Sequence, residues 1–103
     1  MDRIAQLQQL LNSSPADSFL HHALALEYLK KEDLASARNE FLFNLKQAPD
    51  YLATYYHIGK LEEKAGNSKA ALQYYEQGMA LARKQNDQHA YNELQAAYED
   101  LAY

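Results

Sequence analysis

The sequence has no cysteine and no tryptophan, only two prolines and three glycines, and no long apolar run. Without cysteine there is no disulfide framework, no thiolate zinc site and no cysteine nucleophile, which fits a reducing cytoplasm. No stretch of the N-terminal residues 1–11 has the continuous apolar character of a signal peptide or a spanning helix, so neither secretion nor membrane insertion is expected. A net charge of -4, with both signs interspersed, leaves no basic face for neutralising phosphates, and nucleic acid is excluded as an expected partner. Hydrophobic residues make up 48% of the 103 residues and charged residues 23%, which is globular rather than disordered usage. Helix formers (Ala, Leu, Gln, Glu, Lys) dominate while helix breakers are scarce, and this predicts an all-α class.

The two prolines, Pro15 and Pro49, lie 34 residues apart. In that frame residues 18–49 contain His21-x2-Leu24-Ala25-x2-Tyr28, then Ala37-x3-Phe41, then Pro49. Residues one period later read Tyr55-x2-Ile58-Gly59-x2-Glu62, then Ala71-x3-Tyr75, with Arg83 in the proline slot. Few letters are identical, but residue class repeats at the packing positions: small at Ala25/Gly59 and Ala37/Ala71, aromatic at Phe41/Tyr75, apolar at Leu24/Ile58 and Leu45/Met79. Asp33 and Asn67 share the period and are N-cap residue types. Gly66 suits a left-handed helix end, where Glu32 in the same slot would cost about 1 kcal/mol.

Ahead of the first unit, Ile4, Leu7, Leu10 and Leu11 form a helical stripe, followed by the expected cap Asp17. Beyond the second, Tyr91-x2-Leu94-Gln95-x2-Tyr98 repeats the first-helix pattern two residues late. The predicted layout is one domain of about six helices: a half-unit helix over 2–12, repeats over 18–51 and 52–85, and a capping helix over 87–103. Two antiparallel helices approach closely only where side chains are small, so Ala25, Gly59, Ala37 and Ala71 are expected to set the approach, with Tyr28, Phe41 and Tyr75 filling beside them.

This pattern resembles the tetratricopeptide repeat (TPR) family, with departures at His21, where Trp is usual, and at Glu62, where an aromatic is usual. The resemblance implies a right-handed helix-turn-helix solenoid whose first helices line a concave groove, and a non-catalytic adaptor that binds a peptide or partner protein there without a cofactor. The groove would carry Phe19, His22, Leu26 and Lys30, then Ala53, Tyr56, Lys60 and Lys64, then His89, Asn92 and Ala96. Chaperone-tail binding by a carboxylate clamp is not expected, since His22, Leu26, His57, His89 and Glu93 stand at the clamp positions. Lys30, Lys60 and Lys64 instead raise a preference for acidic peptides. The alternative is a homodimer built on the terminal helices through Ile4, Leu7, Tyr98, Leu101 and Tyr103.

Other chemistry finds no footing. His21 and His22 are adjacent, so they diverge by about 100° on a helix and cannot readily share a metal. There is no nucleophile with a base, no HExxH and no phosphate-binding glycine loop, and so no enzyme is expected. The neighbouring acids Glu62-Glu63 and Glu99-Asp100 read as solvated faces. Nine tyrosines are an unusual load. Tyr28, Tyr55, Tyr75, Tyr91 and Tyr98 fall on packing positions, and Tyr56 is the candidate contact because its neighbour Tyr55 takes the inward slot.

Overall fold

Aspartate side chains set most of the helix starts. In the computed structural model, which describes residues 2–103, Asp2, Asp17, Asp33 and Asp87 each accept a hydrogen bond from the backbone amide three residues on, over 2.8 to 3.1 Å. Each thereby satisfies one of the orphan donors of a helix's first turn. The helices they open are α1 (Arg3–Ser13), α2 (Ser18–Lys30), α3 (Leu34–Gln47) and α6 (Gln88–Ala102), and α4 (Ala53–Lys64) and α5 (Ser68–Lys84) complete the chain. The fold is all-α, and no strand occurs among the described residues.

Asn67 corrects the expected cap of α5. It makes no side-chain bond to the helix it precedes, and its amide instead donates to the Glu62 carboxylate at 2.9 Å. Glu62 is consequently not on a solvated face as its neighbour pairing implied: it is only 6% exposed. Glu63, half-buried, accepts the Tyr75 hydroxyl at 2.5 Å. Both acids bond to their own unit, which is how carboxylates enter a helical core.

Three helices end in one way. Glu32, Gly66 and Asn86 take the left-handed conformation, at φ 60, 85 and 58. In each case the amide of that residue and of the next donate back to carbonyls of the last helical turn, as from Glu32 to Leu29 and from Asp33 to Tyr28. This pair of hydrogen bonds satisfies orphan carbonyls of the helix end, and it favours glycine or asparagine at the left-handed position. Glu32 is the misfit. Glu32→Gly is expected to stabilise the chain by about 1 kcal/mol, read as an upward shift of the urea midpoint at unchanged slope.

The chain divides into two compact units at residues 51 and 52. In the first, α1 and α3 pack on α2. Ala25 and Ala37 have no exposed surface, and neither has Phe41, while Leu24 and Leu7 are 2% and 1% exposed. Burial removes Leu7 from any set of surface contacts made by the terminal helices. Asn44 and Gln47 donate to the Ser18 and Ala16 carbonyls at 3.0 and 2.6 Å, tying the end of α3 to the start of α2.

In the second unit, α5 packs on both α4 and α6. The α4 backbone at Gly59 lies against the Tyr75 ring, so close that a Cβ there would sit 2.7 and 2.8 Å from two ring carbons and nearer still to Cε1. Gly78 does the same from α5, where a Cβ would meet Tyr55 at 2.8 Å and Leu94 at 2.9 Å. Gly78 had no role in the repeat pattern. It lets one helix receive side chains from both neighbours.

Candidate functional site

The residues of α4 at Ala53, Tyr56 and His57 share one helix face, as do His89, Ala90, Glu93 and Leu94 of α6, since both sets follow the three-and-four spacing of a helix. Together with Leu52 and Asp87 they line an open hollow of about 380 Å³ in the second unit. That is at the low end of the range for small-ligand pockets, enough for one or two side chains. Its apolar part comes from Leu52, Ala53, Ala90, Leu94 and the Tyr56 ring.

Tyr56 is half-buried and held on three sides. His57 meets it edge-on at 5.4 Å, Tyr75 lies 6.4 Å away at a tilt, and the Lys60 ammonium stands 5.7 Å over its ring. Aromatic and cation–π contacts of this kind favour one orientation of the ring. Lys60 also approaches Glu63 at 3.9 Å. His89 faces Glu93 at 3.5 Å on the exposed side of α6, and Asp87 is engaged in capping Ala90.

Burial pushes the His57 imidazole below its ordinary value, against a smaller upward pull from the Glu93 charge. The unfolded chain then binds this proton more readily than the folded one, so the stability tied to His57 is full above the ordinary value of 6.5 and is lost as pH falls through the folded value. The urea midpoint is expected to drop between about pH 7.5 and about pH 5.5, and to drop less in His57→Gln.

The predicted groove residues separate on this geometry. Tyr56 and His89 line the hollow, and Ala53 joins them. Lys60 lies against Tyr56, whereas Lys64 is exposed outside the lining and Asn92 accepts from Gln88 along its own helix at 2.8 Å. In the first unit Phe19 is 62% exposed and Leu26 half-buried, and Lys30 pairs with Glu27 at 3.0 Å. His22 is not a surface residue: at 8% exposure its ring packs against Phe41 and Tyr51, so it belongs to the core of that unit.

Sequence reasoning passed over Leu52, Asp87, Ala90 and Leu94. The helical phase of His89 and Glu93 would have found Ala90 and Leu94, the neighbours one step on. Among the described residues no three His, Asp or Glu side chains gather to hold a metal, and no helix is long and apolar enough to cross a membrane.

No family model matches the chain. It is similar to the TPR repeat-containing protein PA0015 of Pseudomonas aeruginosa, with 30% identity over 91 residues covering 88% of this chain and 87% of that protein. The crystal structure of a tetratricopeptide repeat domain protein from Salinibacter ruber is 37% identical and aligns at a TM-score of 0.80 over 84% of this chain and 96% of that one. The solution structure of protein BPP2914 from Bordetella parapertussis is 25% identical and aligns at 0.86 over 99% and 89%. A repeat read from spacing, helix pairs closed by small residues and aromatic rings, and a relative similar over nearly its whole length lead to one conclusion: the chain belongs to the tetratricopeptide repeat family.

Proposed function

We propose that the chain is a non-catalytic protein-interaction module, with repeats at 18–51 and 52–85, whose second unit seats a side chain of a polypeptide partner in the hollow flanked by α4 and α6. The observation that carries this reading is the hollow itself. It is open and mostly apolar, and a half-buried tyrosine held by His57, Tyr75 and Lys60 stands at its wall. Tyrosine in such a setting supplies contact area at low entropic cost, which is why it is enriched at recognition surfaces.

The experiment is a selection of random 12-residue peptides on the immobilised full chain, followed by amide chemical-shift mapping with the recovered sequences. Shifts gathered at residues 52–57 and 87–94 are the expected result. Recovered peptides that leave those amides unmoved, or shift only another surface, would sink the proposal.

A further inference from the structure

We infer that the polypeptide seated in this hollow presents a bulky apolar side chain with a lysine or arginine close beside it. The inference rests on the hollow being the binding site and adds the chemistry of its occupant. Among the nine lining residues are two carboxylates, Asp87 and Glu93, and no lysine or arginine. The five apolar contributors set the anchor: an apolar side chain buried there removes its own surface and theirs from water.

Two of the three lysines that raised a preference for acidic peptides are already engaged, and the third, Lys64, lies outside the lining. Lys60 stands over the Tyr56 ring and approaches Glu63, and Lys30 is paired with Glu27 three residues earlier on its own helix. Each therefore offers an incoming carboxylate less than its formal charge. His57 is held toward its neutral form by burial and contributes no cation to the floor. Glu93, by contrast, is more than half exposed, and it faces His89 at 3.5 Å and the charge-sensitive, half-buried His57 imidazole. A cationic group arriving there meets carboxylates with no lysine or arginine among the lining residues to offset them, and an acidic one is repelled by the same carboxylates.

The test runs the 12-residue selection in parallel on the wild-type chain, on Glu93→Lys and on Glu76→Lys, an exposed position on α5 outside the lining that changes net charge equally. Wild type and Glu76→Lys are expected to enrich Lys or Arg within two residues of Leu, Phe, Tyr or Trp by about threefold or more over the input library, and Glu93→Lys to lose that enrichment. Peptides that shift the α4 and α6 amides but are acidic, or carry no charge bias, overturn the inference and leave the hollow as the binding site. Equal loss of enrichment in both lysine variants also overturns it, because the bias would then follow net charge. If no peptide moves those amides, the binding proposal and this inference fall together.

Discussion

Gly59→Leu is expected to destabilise the second unit by about 3 kcal/mol or more, the upper end of what overpacking costs. On an open helix surface, replacing glycine with alanine gains about 0.5 to 1 kcal/mol, because the backbone entropy that glycine loses on folding is reduced. Here even the first added carbon falls within the Tyr75 ring's own space. The ring has nowhere to retreat. It has no exposed surface, and its hydroxyl is fixed on Glu63. Gly59→Ala should therefore reverse the usual sign and destabilise, and Tyr75→Leu in that background should recover part of the loss, a coupling that a double-mutant cycle on urea midpoints would measure. Gly66 provides the contrast: a Cβ there meets nothing within 4 Å, so Gly66→Ala costs only the left-handed backbone, about 1 to 2 kcal/mol. Wild-type melting of Gly59→Leu would refute the close approach of α4 and α5.

Tyr56→Ala is expected to weaken binding of a selected peptide by about 30-fold, the equivalent of about 2 kcal/mol for an aromatic anchor. The ring is a wall of the hollow, and its removal takes away the only tyrosine, phenylalanine or tryptophan in the lining. Tyr55 carries more of the packing, being 8% exposed and lying against Gly78, whereas Tyr56 is half-buried. The urea midpoint of the variant is therefore read beside its affinity to separate fold from binding. Lys60→Ala offers the finer comparison. It removes the cation over the ring and should cost less than about fivefold in affinity, since an exposed cation–π contact is worth about 0.5 to 1 kcal/mol. Binding unchanged in Tyr56→Ala, with the urea midpoint retained, would remove Tyr56 from the site.

The packing positions were legible in the sequence because they obey one period and one steric rule. Ala25, Ala37, Phe41, Ile58, Ala71 and Tyr75 are all without exposed surface, and apart from the identical pair Ala37/Ala71 they were placed by residue class. The left-handed turn at Glu32 was legible too, from its register with Gly66. Polar residues were harder to place, because their environment depends on partners that spacing does not reveal. Glu62 is buried because the Asn67 amide reaches it, and that same bond takes Asn67 away from its capping role. His22 looked like a groove residue from its phase on α2, but Tyr51 folds over it from beyond the end of α3. The hollow was half legible: Tyr56 and His89 follow from helix phase, whereas Leu52 and Asp87 lie just outside the helices and have no phase to read.

The most direct test of the account fills the hollow without touching the core. Ala90 lines the hollow, and Ala90→Trp would occupy it with the protein's own side chain. A urea midpoint close to wild type is expected, together with loss of binding by every peptide that shifts the α4 and α6 amides. Wild-type affinity in Ala90→Trp would contradict the claim that this hollow is where the chain meets its partner.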